Sequence, residues 1–286
     1  MQRNVLYYEK TKERPFFMEH LCDLHTHTWY SADARCSVDE LCAAAVQRGL
    51  FAVGMTEHYD YDPWNGTAYY ELRHERRMAE VARAKAAWAG QVELLCGIEM
   101  GQPHLCPEKA AAFVKDGGFD LVIGSLHDLR PGKSIYHDLP VDTPEGCDAL
   151  YEAFFREARE LVRVCDVDIF GHYDYPLRVM GKAGIPPNME RWRTHMIPFL
   201  RDLAESGIAL ELNTCGLRRW MGRTAGESWI LETFRSFGGS RITIGSDAHF
   251  TRDVGAGVKE TCALLRENGF DKVTIFRQRK PESVSI

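Results

Sequence analysis

The sequence predicts an α/β fold, most simply a closed or nearly closed barrel of parallel strands that alternate with helices. Two observations support this: short apolar runs rich in β-branched residues recur seven times, and stretches with helical periodicity separate them. Near-continuous apolar runs of this length are typical of strands buried on both faces of a parallel sheet. Repeated strand–helix alternation favours a barrel. A doubly wound open sheet is the alternative, although the first run lacks the Gly-rich dinucleotide turn of that fold.

The seven predicted strands are separated by longer stretches of helical character. They are LCDLHTHT (21–28), FAVGMTEH (51–58), VELLCGIEM (92–100), FDLVIGSLHD (119–128), VDIFGHYD (167–174), IALELNTCG (208–216) and RITIGSDAH (241–249). The last segment, FDKVTIFRQRKPESVSI (270–286), predicts one further short strand and a fraying tail. No internal linker interrupts the pattern, so we expect a single domain over residues 1–286.

The stretches between the strands carry helix start and stop signals. Ser37 and Glu40 form a capping box, and Gly49 marks the end of the first helix. A long amphipathic helix is predicted over 68–90. Three more helices are predicted over 144–165, 188–207 and 251–269, and a weaker helical pattern covers 104–116 and 226–238.

The composition argues against several classes of protein. A net charge of −6 disfavours binding of nucleic acid through bulk charge. Nine cysteines, an odd number with no C-x-x-C pair, indicate a reduced, cytoplasmic chain and not a disulfide framework or a thiolate zinc site. The amino terminus lacks the apolar core of a signal peptide, and no run of about 18 apolar residues predicts a membrane span.

Polar side chains are concentrated where the predicted strands end. In barrels of this class the carboxyl ends of the strands converge on one face, where active sites lie. Six of the eleven histidines, two carboxylates at strand ends and one in the loop after the first strand are therefore expected to share this face. These candidate metal ligands are His25, His27, Asp33, His58, Glu99, His127, His172, Asp247 and His249.

Imidazoles combined with a few carboxylates suit zinc, iron or manganese. The set is too large for one tetrahedral ion, so we expect two or three divalent ions, with a carboxylate such as Glu99 bridging them. Closely spaced metal ions promote phosphoester cleavage, because they lower the pKa of a bridging water and brace the attacking and leaving oxygens. The residues therefore favour a phosphoesterase.

Six motifs in chain order resemble those of the PHP (polymerase and histidinol phosphatase) family, and most closely its bacterial histidinol-phosphatase branch. They are DLHTHTWYSAD, MTEH, GIEMG, IGSLHD, FGHYDYP and IGSDAH, and the resemblance extends from about residue 20 to the tail. It implies a distorted (β/α)7 barrel with a metal site at the carboxyl ends of the strands.

The resemblance also implies a trinuclear site and leaves open whether the ions are zinc, iron or manganese. One ion would take His25, His27, Glu99 and Asp247; a second would take Glu99, His127 and His172; the third would take Asp33, His58 and His249.

The segment LELNTCGLRRW resembles the histidinol-phosphatase segment whose arginine faces the substrate. Arg218 is therefore the first candidate for phosphate binding, Arg178 the second and Arg130 the third, since a guanidinium binds phosphate through paired charge-assisted bonds. Cys215 is expected to pack and not to act as a nucleophile. Glu57 is expected to support the ligands from outside.

The expected reaction is hydrolysis of a small phosphate monoester, with L-histidinol phosphate as the leading substrate. Asp247 or His249 would protonate the leaving alcohol, and Asp128 or Asp174 would bind the substrate amine. The alternatives are a phosphatase for another small phosphomonoester, a nuclease or nucleotide phosphodiesterase of the same family, an amidohydrolase, and a metal-binding scaffold without catalysis. The fourth predicted strand ends without the lysine typical of amidohydrolases. The sequence leaves the oligomeric state open.

Overall fold

Seven parallel strands form one sheet, and helices and short strands surround or follow them. The computed structural model describes residues 20–62, 67–68, 74–130, 133–135, 143–185, 189–219, 221–222 and 226–286. The strands are β1 (Cys22–Thr26), β2 (Ala52–His58), β3 (Tyr61–Asp62), β4 (Thr67–Ala68), β5 (Glu93–Gly101), β6 (Leu121–Ser125), β7 (Asp128–Leu129), β8 (Lys133–Ser134), β9 (Ile169–Phe170), β10 (Ala209–Asn213), β11 (Ile242–Gly245), β12 (Lys272–Arg277) and β13 (Lys280–Ser285).

The helices pack around the sheet, and most of them overlap the predicted ones. They are α1 (Val38–Gln47), α2 (His74–Ala87), α3 (Pro107–Asp116), α4 (Pro144–Val164), α5 (Tyr175–Lys182), α6 (Arg193–Ser206), α7 (Cys215–Arg218), α8 (Ser228–Ser236) and α9 (Val258–Glu267). Helices α5 and α7 were not predicted, and α9 begins at Val258, later than the predicted start at 251. The predicted capping box at the start of α1 is present. The first residues of the predicted 68–90 helix, 69–73, lie outside the described residues.

The sheet order is β1-β2-β5-β6-β9-β10-β11, and its outer strands approach each other to nearly close a barrel. Closure occurs just beyond the strand ends, where Thr26 and Ala248 form a parallel bridge. The His27 amide donates to the Ala248 carbonyl at 2.8 Å, and the Asp247 amide donates to the His25 carbonyl at 2.7 Å. The predicted barrel is confirmed, and the closure links two segments that carry candidate ligands.

A bulge in β1 turns His25 towards the barrel interior. The register with β2 pairs Asp23 with Val53 but Thr26 with Met55, so β1 holds one extra residue. A bulge reverses the alternation of side chains along a strand. Leu24 therefore packs in the barrel interior, and His25, which directly follows it, also points inward.

The carboxy-terminal segment differs from the predicted strand and fraying tail, because it forms the antiparallel hairpin β12–β13. Ile275 and Phe276 of the hairpin pack against the apolar residues inside the barrel. The turn residues Gln278 and Arg279 both have positive φ (50° and 65°). Arg279 Nε donates to Asp168 at 2.7 Å, beside the amino end of β9, so the hairpin covers the end of the barrel opposite the candidate ligands.

Candidate metal centre

Glu99, at the end of β5, is fully buried at the centre of the predicted ligands. Imidazole nitrogens from four different strand ends surround its two carboxylate oxygens. They are His58 Nδ1 at 2.9 Å, His25 Nε2 at 3.2 Å and His27 Nε2 at 3.5 Å from Oε2, with His172 Nε2 at 2.7 Å and His127 Nε2 at 3.3 Å from Oε1.

The remaining three candidates lie beside this cluster. Asp247 Oδ1 is 3.5 Å from His27 Nε2 and 3.5 Å from His249 Nδ1. Asp33, in the loop after β1, places Oδ2 3.1 Å from His249 Nε2 and 3.7 Å from His58 Nε2. The structure therefore brings all nine sequence-predicted ligands together.

The donor set fits divalent metal ions, because several of its buried atoms approach one another closely without the alignment of a hydrogen bond and have no other hydrogen-bond partner among the described residues. These atoms are His25 Nε2, His27 Nε2, His58 Nδ1 and Glu99 Oε2. A buried polar atom without a partner is costly. Lone pairs that converge in this way would be satisfied by a cation, and nitrogen and carboxylate donors suit zinc, iron or manganese.

Four groups of three side chains place their ligand atoms within 4.8 Å of one another. They are His25–His27–Asp247, His25–Glu99–His172, His58–Glu99–His127 and His27–His58–His249. The first belongs to one of the ligand sets implied by the resemblance, and the others combine members of different sets. The assignment of ligands to individual ions therefore stays a prediction.

Three of the candidate ligand histidines contact, through the ring nitrogen that faces away from the cluster, residues that the sequence did not predict as part of the site. The outward nitrogen of His25, Nδ1, lies 2.7 Å from Glu211 Oε1, and that of His127 lies 3.1 Å from Asp60 Oδ1. His27 Nδ1 lies 3.2 Å from Ser31 Oγ. Such partners fix the tautomer and orientation of a ligating imidazole.

Glu57 supports the same site indirectly, as the sequence predicted. Its carboxylate accepts hydrogen bonds from Ser31 Oγ at 2.5 Å, Thr28 Oγ1 at 2.7 Å and the Thr28 amide at 3.0 Å. Because Ser31 also contacts His27, Glu57 stabilises the loop that carries the ligands after β1. Glu211 and Asp60 were not predicted as partners of the candidate ligands. One feature of the sequence could have indicated them, because each is an acidic residue within or just after a predicted strand.

The backbone around the ligands is tightly constrained. His172 and Asp247 have positive φ (21° and 54°), which is unfavourable for residues other than glycine. At Gly245 a Cβ would lie 2.2 Å from Glu211 Oε1 and 2.4 Å from His25 Cβ, so only glycine fits there. The strain is concentrated at the residues expected to bind metal.

Buried charges in this cluster determine which groups are ionised. Burial opposes the charged form of Glu99, but His25 and His127 outweigh it and hold the pKa of Glu99 well below its usual range. Burial, together with His58 and His249, lowers the pKa of His27 well below its ordinary value. Burial opposes the charged form of His25, but Glu211 and Glu99 outweigh it and raise the pKa of His25 well above its ordinary value. A metal ion bound by His25 would therefore displace that proton.

Comparison with known proteins gives the family. The profile of the PHP domain matches residues 23–215, about two thirds of the chain. The chain belongs to the PHP family. The matched region contains seven of the nine candidate ligands, and the last two, Asp247 and His249, follow it in sequence.

Curated relatives of this PHP chain are phosphatases by name. The histidinol-phosphatase of Lactococcus lactis is 24% identical over 270 residues, which are 90% of this chain and 95% of that protein. A probable histidinol-phosphatase of Thermotoga maritima is 24% identical over 261 residues, covering 89% and 95% of the two chains. The histidinol-phosphatase of Bacillus subtilis is 26% identical over 263 residues, covering 82% and 95%.

Solved structures confirm the fold. The L. lactis histidinol phosphate phosphatase, solved with zinc, L-histidinol and phosphate, has a TM-score of 0.77 at 23% identity and covers 93% of this PHP chain and 100% of its own. A putative histidinol phosphatase from Listeria monocytogenes has a TM-score of 0.72 at 17% identity, covering 84% and 100%. The barrel of this PHP chain is thus shared with solved phosphatase structures.

The arginines predicted to bind phosphate occupy three different environments in this PHP chain. Arg178, on α5, donates through Nη2 to Asp247 Oδ2 and therefore touches a candidate ligand. Arg218 donates through Nη2 to the carbonyl of Ser246 at 2.7 Å, next to that ligand. Arg130 instead forms an exposed two-bond pair with Glu160 of α4, at 2.6 and 2.8 Å.

Other singled-out residues have distinct surroundings. Cys215 is buried, and burial raises the pKa of its thiol, which agrees with a packing role. Asp128 accepts a hydrogen bond from Gln102 Nε2 at 3.2 Å. Asp174 is buried with neither carboxylate oxygen bonded to another described residue. Across the described parts of the chain, none of the helices is both long and apolar enough to cross a membrane.

Proposed function

We propose that this PHP chain hydrolyses a small phosphate monoester, L-histidinol phosphate, to L-histidinol and phosphate. The observation that carries the proposal is the buried cluster of imidazoles around Glu99, in which inward-facing ligand atoms lack partners among the described residues. The names of the curated relatives, and the histidinol and phosphate named for the L. lactis structure, support the choice of substrate.

The site is proposed to hold two or three divalent ions, with Glu99 bridging and the three ligand sets implied by the family resemblance. Zinc is the ion named for the L. lactis structure, and iron and manganese suit the same donors. Ions bound here would lower the pKa of a water molecule and neutralise negative charge on the phosphate.

Arg178 and Arg218 are proposed to bind the phosphate oxygens. Arg178 directly contacts a candidate ligand, since its guanidinium donates to Asp247. Arg218 is held by the Ser246 carbonyl and by Thr214 Oγ1 at 3.4 Å, which fixes its position one residue from Asp247. Both guanidiniums would stabilise the charge on phosphate in the transition state.

Asp247 and His249 are proposed to move the proton. Burial opposes ionisation of Asp247, but Arg178 and His27 outweigh it and hold the pKa of Asp247 well below its usual range. Asp247 therefore stays ionised, and its carboxylate can accept a hydrogen bond from the attacking water. The proton then passes to the oxygen of the departing alcohol, with His249 Nδ1, 3.5 Å from Asp247 Oδ1, within reach of the same path.

Asp174 is proposed to recognise the substrate amine, in preference to Asp128. Asp128 is already bonded to Gln102. Asp174 keeps both carboxylate oxygens without a hydrogen bond to a described residue, two positions after His172. A buried carboxylate of this kind gains most from a cationic partner.

The compartment is proposed to be the reducing cytoplasm. All nine cysteines are free thiols, and seven of them are buried. A chain with this many thiols would be prone to oxidation or mispairing in an oxidising compartment.

The deciding experiment measures phosphate release by the purified full chain after separate loading with zinc, iron or manganese. We expect turnover of L-histidinol phosphate at a kcat/KM at least tenfold above that for other small monoesters, and no cleavage of oligonucleotides. A preference for another monoester would identify that compound, and not L-histidinol phosphate, as the substrate. Cleavage of oligonucleotides alone would favour the nuclease alternative.

A further inference from the structure

Glu211 lies on β10, the barrel strand that contributes none of the predicted ligands, and its side chain is 1% exposed. Its two carboxylate oxygens serve two different ligand residues. Oε1 lies 2.7 Å from the ring nitrogen Nδ1 of His25, and Oε2 accepts the backbone N–H of His172 at 2.6 Å. One carboxylate therefore joins a ligand side chain on β1 to the backbone of a ligand after β9.

The surroundings of Glu211 leave its carboxylate little freedom. Gly245 approaches so closely that even a Cβ there would lie 2.2 Å from Oε1. On the other side Asn213 Nδ2 donates to Oε2 at 3.2 Å. Backbone and side chain thus confine the carboxylate at the position where both ligand residues meet it.

The bond to His172 acts where the backbone is strained. His172 has φ of 21°, which few residues other than glycine adopt. Strained conformations persist only when neighbouring groups hold them. The acceptor that Glu211 provides to the His172 amide is a group of this kind, because it fixes the direction in which the His172 ring leaves the chain.

We propose that Glu211 is a positioning residue that determines metal affinity by fixing His25 and His172 together. The inference rests on the proposed metal-dependent function. The reason lies in acceptor capacity: a carboxylate offers two acceptor oxygens, one for the His25 ring and one for the His172 amide. Glutamine offers one oxygen and would direct an N–H₂ group towards the other donor.

The test compares Glu211→Gln with the parent and with Asp168→Asn as a matched control. Asp168 is also a buried carboxylate that accepts a backbone N–H, from Val122 at 2.8 Å, but it lies at the opposite end of the barrel. Zinc affinity of each full-length protein is measured by competition with a chromophoric chelator. The absorption spectrum with bound cobalt(II) reports ligand geometry independently of activity.

We expect Glu211→Gln to bind zinc ~10–100-fold more weakly and to change the cobalt spectrum, while Asp168→Asn stays within about twofold of the parent. Glu211→Asp keeps both acceptor oxygens but withdraws them by one methylene, so its zinc affinity should lie between that of Glu211→Gln and that of the parent. This variant replaces Glu211→Gln if Glu211→Gln does not fold. Parent-like zinc affinity and cobalt spectrum in the Glu211 variant would overturn this inference alone. Absence of zinc from the parent itself would overturn the proposed function and this inference together.

Discussion

Glu99 shows how a single side chain organises the candidate site at the scale of the residue. Its carboxylate is fully buried, which by itself disfavours ionisation. Five imidazoles nevertheless lie within 3.5 Å of it. Surrounding charge therefore outweighs desolvation, and Glu99 is positioned to bridge ions.

Glu99→Gln tests this central role. We expect loss of bound metal and at least a ~10³-fold fall in phosphate release, because a neutral amide cannot bridge cations as a carboxylate does. Metal content per chain and initial rates are measured together. Hydrolysis that survived without metal would contradict the mechanism, and circular dichroism controls for folding.

The two arginines proposed to bind phosphate give a second prediction at this scale. Arg178→Ala and Arg218→Ala should each lower kcat/KM by ~10²–10³-fold, as the loss of one donor to a transition-state oxyanion does. Arg130→Ala is the control, because Arg130 pairs with Glu160 and should leave the rate unchanged. An equal loss in all three variants would argue against a specific role.

Asp174→Asn separates recognition of the amine from chemistry. We expect kcat/KM for L-histidinol phosphate to fall at least tenfold, because one charge-assisted contact is lost. The rate with p-nitrophenyl phosphate, which has no amine, should change little. A parallel fall with both substrates would assign Asp174 to the fold or the reaction and not to amine binding.

At the scale of the element, the hairpin β12–β13 converts a predicted tail into a cover for the barrel. Its apolar residues Ile275 and Phe276 join the barrel interior. Arg279 holds the turn through Asp168 while adopting a φ of 65°. The turn thus combines a favourable ion pair with an unfavourable backbone conformation.

Two substitutions at Arg279 separate these effects. Arg279→Ala loses the pair and keeps the strain, so it should destabilise the protein by about 1–2 kcal/mol. Arg279→Gly loses the pair but relieves the strain, so its loss of stability should be about 1 kcal/mol smaller than that of Arg279→Ala. Urea unfolding measures both. A glycine variant less stable than the alanine variant would contradict this account, and neither should alter phosphate release.

At the scale of the whole molecule, metal and fold should be coupled. The candidate ligands come from both edges of the nearly closed sheet, with His25 and His27 at the end of β1 and Asp247 following β11. An ion that binds only the folded state stabilises it by about 4 kcal/mol at a thousandfold excess over Kd. Bound ions would therefore hold the barrel closed.

Removal of metal tests this coupling. Dialysis against a chelator should lower Tm by several degrees, and addition of zinc should restore both Tm and activity. The Glu99→Gln variant should show no such shift, since it lacks the bridging ligand. An identical Tm with and without chelator in the parent would show that the ions contribute nothing to stability.

Local features of the sequence predict the alternation of strands and helices and the types of candidate ligand at the strand ends. These depend on local properties: apolar runs, capping residues and the convergence of parallel strand ends in a barrel. His25, His27, Glu99 and Asp247 could be predicted for this reason. Asp33, in the loop after the first strand, belonged to the same predicted set, and the family resemblance assigned it to the third ion.

Tertiary structure alone decided the groups that hold the ligands in place. Glu211 and His25 are 186 positions apart, and Asp60 and His127 are 67 apart, so no local pattern links them. The bulge in β1 and the short β9, which ends where His172 adopts positive φ, depend on the neighbouring strands. Local periodicity fixes which way a regular strand points its side chains, whereas bulges, strain and long-range hydrogen bonds arise only when the strands pack together.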